Sequence, residues 1–217
     1  MDLLSLVSMS TKRRGDFFSQ AEALAKKYKD QPKLEKRMAI ESKALVKGLR
    51  DKQMRWEEYE RSLLEKTIIS ALASVYLGCQ ESNPQAKMER AWPTIVGDML
   101  PPLLSFLEET KTFIDSGDIR LGDETQEFSE VMGWPGLALR VIRYIANPSY
   151  SFFNLGQYYV RQEQGYKEMR RVPISDGKTC PDCIYFGQLD WQPIGSLPMP
   201  GRDCRCYDRC RCLVEYQ

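Results

Sequence analysis

Six of the seven cysteines crowd the C-terminal end of the chain: Cys180, Cys183, Cys204, Cys206, Cys210 and Cys212. The first two form a C-P-x-C knuckle, and the other four form a C-x-C-x3-C-x-C run. A C-x2-C turn sets two thiolates on one edge of the tetrahedron that zinc prefers, and a proline inside it pre-sets the turn. Cys180 and Cys183 therefore form one half of a candidate zinc site. The other half is open, because four cysteines compete for two positions. Cys206 with Cys210, or Cys210 with Cys212, suits the geometry and leaves Cys204 out. The candidate ligands are thus Cys180, Cys183, Cys206, Cys210 and Cys212, and zinc is the expected cofactor, in a structural role.

Three other fates of the thiols compete with a metal. They are free or partly paired structural thiols, disulfides formed after leaving a cell, and redox or nucleophilic chemistry. A redox C-x2-C belongs between a strand and a helix in a βαβ unit, and none precedes this one. Histidine is absent from the chain. That removes imidazole-based dyads and triads, Cys2His2 fingers and a base for a cysteine nucleophile. No catalytic residue is assigned, and the chain is not expected to be an enzyme.

The elements that must position the knuckle follow from its surroundings. The loop GQLDWQPIGSLPMPGRD between the two cysteine groups is broken by Gly and Pro, and a metal joining its ends would stabilise its irregular path. Trp191, Ile194, Leu197 and Met199 could form a miniature core over the site. A short strand is expected around Arg171-Val172-Pro173-Ile174. Upstream the chain reads as helical scaffold. Phe17, Ala21, Leu24 and Tyr28 recur at helical spacing up to a stop at Asp30-Gln31-Pro32. The pattern from Leu34 to Leu77 is a long helix, with a break near Gly48 and Gly78 as its cap. Gln85 to Val96 forms a short helix, and another begins at Pro101-Pro102. Gly133-Trp134-Pro135-Gly136 reads as a turn, and a segment from Leu137 to Val160 is interrupted at Asn147-Pro148. Its aromatics Tyr150, Phe152, Phe153, Tyr158 and Tyr159 are expected to pack the core or seat the next module. The fold class is mainly α: an elongated helical body with a small C-terminal cysteine-rich, zinc-ribbon-like α+β module. The expected divisions are an N-terminal arm or short helix over 1–32, the helical body over 33–165 and the cysteine-rich module over 166–217.

A net charge of +1 creates no field that draws the chain to nucleic acid or anionic membrane. No apolar run approaches the roughly 20 residues a membrane span needs. The basic residues at the N-terminus follow its short apolar patch, the reverse of a secretory signal, so a reducing cytosolic origin is expected. The acidic bias between Asp98 and Glu130 opposes a phosphate backbone and lacks the register of a calcium loop.

The stretch RRVPISDGKTCPDC, followed by GQLDWQPIGSLPMPG and a final C-x3-C-R-C with Leu-Val-Glu-Tyr, resembles the C-terminal module of phage head morphogenesis proteins. These are the Mu F-like minor head proteins of tailed phages and prophages. Asp176, Cys180, Cys183, Trp191, Pro193, Pro198, Pro200, Cys210, Arg211 and Cys212 carry the resemblance, which covers about the last fifty residues. Upstream, WEEYERSLLEKTIISALASVYLG, LLSFLEETKTFIDSG and LALRVIRYIA agree with it in order and type. Many members place a histidine before their Cys-Arg-Cys. Here the step reads Pro200-Gly201-Arg202-Asp203-Cys204-Arg205-Cys206, so the resemblance implies that Cys204 or Cys206 stands in for that histidine.

The resemblance implies a structural protein of the virion, assembled in the host bacterial cytoplasm. It would act in head assembly by binding portal or major capsid subunits, with homo-oligomers allowed. The alternative is a zinc-ribbon protein binding nucleic acid in packaging or regulation. Arg202, Arg205, Arg209 and Arg211 interleave the cysteines and could meet phosphates, but Asp203 and Asp208 blunt their field. Nucleic acid is therefore not the favoured partner, and no membrane is expected.

Overall fold

A computed structural model of the chain describes residues 11–79, 82–116, 133–146, 148–174, 179–201, 204, 210 and 212–217. It is mainly helical, with a small three-stranded sheet and the cysteine cluster at the C-terminal end.

Helix α1 (Thr11–Tyr28) buries Phe17, Phe18, Ala21 and Ala25, which recur along one face. The Phe17 and Phe18 rings lie 6.2 and 6.1 Å from that of Trp92. The segment expected as an arm or short helix is a helix over its described residues, and it forms one wall of the main core. Two adjacent buried phenylalanines explain why, since each contributes about 2 kcal/mol or more by leaving water. Asp30 then separates α1 from α2 (Gln31–Arg50), accepting a hydrogen bond from the Lys33 amide at 2.8 Å, with Pro32 in the first turn. The stop signal of one helix is the N-cap of the next.

The long apolar pattern splits at 51–55 rather than at Gly48, where Lys52 adopts a left-handed φ of 57°. Helix α3 (Trp56–Gly78) follows and runs through the middle of the body. Leu63, Leu64, Ile68, Leu72, Ala73, Ser74 and Val75 are all fully buried, and over residues 70–75 the helix is covered on every side. Its interior serines are satisfied: Ser70 donates to the Ile145 carbonyl and Ser74 to that of Ser70, both at 2.8 Å.

Helix α4 (Pro84–Thr94), a π-helical turn (Ile95–Met99) and α5 (Leu100–Asp115) form one continuous rod, where two separate helices were expected. Pro93, Pro101 and Pro102 remove amide donors along it, and the wider π turn lies between them and accommodates the interrupted ladder. Gly133 caps α6 (Trp134–Ile145), so Trp134-Pro135-Gly136 is a helical first turn, where a proline costs nothing, and not a free turn. Helix α7 (Pro148–Glu163) packs along α3. At their crossing Gly78 and Gly156 let the two backbones touch. A Cβ on Gly78 would lie 2.1 Å from the Phe153 carbonyl oxygen, and one on Gly156 would lie 2.3 Å from that of Val75. Gly78 is therefore a contact residue and not a left-handed cap.

The module after α7 consists of β1 (Glu168–Val172), α8 (Pro181–Gln188), β2 (Gln192–Pro193) and β3 (Leu213–Tyr216). The sheet order is β2-β1-β3, antiparallel throughout, with Arg171 opposite Val214 and Met169 opposite Tyr216. Met169, Leu197 and Met199 form its small core, joined by Phe186, Ile194, Val214 and Tyr216. Trp191, expected in that core, instead lies under the Arg170 guanidinium at 4.7 Å. Two tyrosines of α7 seat the module on the body. Tyr158 packs against both cores, and the Tyr150 hydroxyl donates to the Cys212 carbonyl at 2.8 Å. The described residues contain no helix long and apolar enough to cross a membrane.

Candidate metal centre

The β1 strand alternates its side chains, so Met169 and Arg171 point inward while Glu168, Arg170 and Val172 face outward. Met169 enters the apolar core. Arg171, two residues on, reaches the cysteines. Helix α8 brings the knuckle to the same place: Cys180 is its N-cap, Pro181 occupies its first turn, and the Cys180 Sγ accepts the Cys183 amide at 3.4 Å. The α8 helix lies close on the strand, since a Cβ on Gly187 would meet the Pro173 ring at 2.4 Å.

Cys183, Cys204 and Cys210 meet there, all buried, with their sulfurs within 4.8 Å of one another. The Cys183–Cys210 and Cys204–Cys210 Sγ separations are both 3.7 Å. A disulfide would require about 2.05 Å. Zn–S bonds of about 2.3 Å in a tetrahedron place neighbouring sulfurs about 3.8 Å apart. Two of the three separations match that spacing, so the three cysteines could hold a metal ion. Cys212 is buried in the same cluster and Cys180 packs against it. Of the sequence-derived ligands, the structure brings Cys183 and Cys210 face to face and holds Cys180 and Cys212 beside them. Cys206 lies outside the described residues. Cys204, the cysteine left out of that set, is one of the three closest.

The cluster has a charged neighbour that the sequence did not single out. Arg171 is 1% exposed. Its Nη2 lies 3.3 Å from the sulfurs of Cys183 and Cys210 and 3.8 Å from that of Cys204, while Nη1 donates to the Pro198 carbonyl at 3.4 Å. Its Cζ lies 5.3 Å from the Phe186 ring centroid. Burial alone would lower its pKa, but the hydrogen bond to Cys204 and the charges of Cys210, Cys204 and Cys183 outweigh that, and the net shift is upward. A guanidinium remains a cation, and a buried cation requires anionic partners. No carboxylate among the described residues pairs with it; its neighbours there are the three sulfurs. Only strand parity could have pointed to Arg171, because Arg170 beside it is chemically identical and pairs outside with Glu215 at 2.7 Å.

Cys79 provides the contrast. It is fully buried in the helical core, where burial pushes its thiol up to about 12, so it is a protonated apolar side chain there. The arginines of the nucleic-acid alternative, Arg202, Arg205, Arg209 and Arg211, lie outside the described residues, as does Asp176. Compared with known proteins, the chain matches no family model, no curated protein and no solved structure.

Proposed function

We propose that the chain is a non-catalytic binding protein whose C-terminal module folds around one structural zinc ion. The observation that supports this most is the buried trio of Cys183, Cys204 and Cys210, with Cys210 at a tetrahedral sulfur spacing from each of the other two. Cys180 supplies the fourth thiolate, because the C-x2-C knuckle already directs its sulfur to the same turn. Four protein ligands leave no open position for water or substrate, which makes the ion structural. Thiolates select zinc over the hard divalent cations, which require oxygen ligands. The ion holds together the two ends of an irregular loop that the small core could not fix alone.

The protein acts, in this reading, by presenting the zinc-held module and the helical body to portal or major capsid subunits during assembly of a tailed-phage head. The support for that role is the sequence resemblance of the module. Zinc content of the purified chain, alone and with Cys180→Ser and Cys212→Ser, tests the centre. One zinc per chain, lost on Cys180→Ser and kept on Cys212→Ser, is expected. Capture of the portal or major capsid subunit from infected cells by the tagged chain tests the role. Failure to retain either would remove it.

A further inference from the structure

We propose that Arg171 is a positioning residue of the metal centre: its guanidinium caps one face of the three-sulfur triangle and acts as the fixed counter-charge that makes a four-thiolate site tolerable in the interior. This rests on the zinc reading above and extends it from the ligands to the group behind them. Nη2 is 3.3, 3.3 and 3.8 Å from three sulfurs whose mutual separations do not exceed 4.8 Å. A point at nearly equal distance from all three, and farther than the triangle's centre allows, stands over its face. The fourth ligand must then approach from the other face, where a nitrogen does not block it. Four thiolates around a divalent ion carry a net charge of −2, and burying that charge uncompensated costs several kcal/mol. Arg171 removes one unit of it and donates N–H···S bonds of the type that orient and tune metal ligands from behind. Its own position is fixed three times, by the β1 strand, by the Pro198 carbonyl and by the Phe186 ring. The Nε, buried without a partner, shows that the side chain is held by its outer nitrogens and not by a network along its length.

Cobalt(II) and zinc titrations of the full chain distinguish this inference from the reading beneath it. If the wild-type chain binds no zinc, the zinc reading fails and this inference fails with it. If the wild type binds zinc, Arg171→Met and Arg171→Lys test Arg171 alone. Arg171→Met is expected to weaken zinc binding at least tenfold in competition with a chromophoric chelator. It should also move the sulfur-to-cobalt charge-transfer band to lower energy, because thiolates relieved of N–H donors hold their electrons less tightly. Arg171→Lys, which keeps the charge, is expected to recover most of the affinity. Wild-type affinity and an unshifted cobalt band in Arg171→Met would overturn the inference. If Arg171→Met does not fold, the decision passes to Arg171→Gln, which removes the charge but keeps a polar side chain: zinc binding at least tenfold weaker is expected there, and wild-type affinity would overturn the inference.

Discussion

Whether a buried cysteine is reactive, inert or a ligand depends on the charges within a few ångströms of it. Cys79 is buried, the one lysine that acts on it, Lys87, is paired with Glu163, and burial holds its thiol protonated. Cys183, Cys204 and Cys210 face one another and a guanidinium that cannot lose its proton. The same residue type therefore serves as core filler in one place and as a candidate ligand in another. Cys210→Ser is expected to abolish zinc binding, whereas Cys79→Ala should leave the zinc content unchanged and cost about 1 kcal/mol of stability; metal analysis and chemical denaturation read the two effects separately. The knuckle itself was legible in the sequence, because C-P-x-C constrains two thiols locally. The partners of the knuckle were not. Spacing alone did not reveal that Cys204 turns inward, because that depends on the path of a Pro-rich loop. Arg171 was hidden for a related reason: parity along a five-residue strand is fixed by Met169 entering the core, which nothing in Arg-Arg reveals.

At the scale of elements, the helices were readable wherever apolar periodicity or a cap set them. Asp30-Gln31-Pro32 marked a boundary, and the Leu63–Val75 stretch marked a helix. What periodicity could not give was depth. The stripe on α3 widens to full burial because α1, α2, α4 and α7 all pack around it. The α3–α7 contact depends on two glycines that the sequence presents only as a helix end and a helix interior. Gly78→Ala or Gly156→Ala places a methyl group against a carbonyl, and thermal melts should show a loss of about 3 kcal/mol, at the high end of overpacking. A charged contact between α2 and α3 has its own signature. Burial pushes the Glu41 carboxyl up, but Lys66 and Arg37 more than offset it and hold it below the usual carboxylate range. A lowered folded pKa gives stability that is present at neutral pH and lost as pH falls through the carboxylate range. Glu41→Gln should therefore cost at most about 1 kcal/mol at pH 7, since the pair is partly solvent-screened, and the difference from wild type should close toward about pH 3. Urea denaturation at the two pH values measures it.

The whole molecule has two kinds of core. The helical body is held by a large continuous apolar cluster, and the module by a few side chains plus the cysteines. They meet through Tyr158 and Tyr150, so the module is seated on the body without sharing its core. The contrast between the two cores was foreseeable from composition, since the cysteines and the Pro-Gly loop begin after the helical pattern ends. The place of α1 in the body was not, because its short apolar face reads the same whether it covers a core or lies at the edge of one. Removal of the metal with a chelator under reducing conditions should release protection of the β1 and β3 amides in hydrogen exchange while leaving the interior of α3 protected.

The most direct test of the structural metal centre is native mass spectrometry of the full chain, purified under reducing conditions without added metal. One zinc per chain, absent from Cys210→Ser, is the result predicted. A wild-type chain that carries no zinc, or one whose C-terminal cysteines are joined in disulfides, would contradict the account.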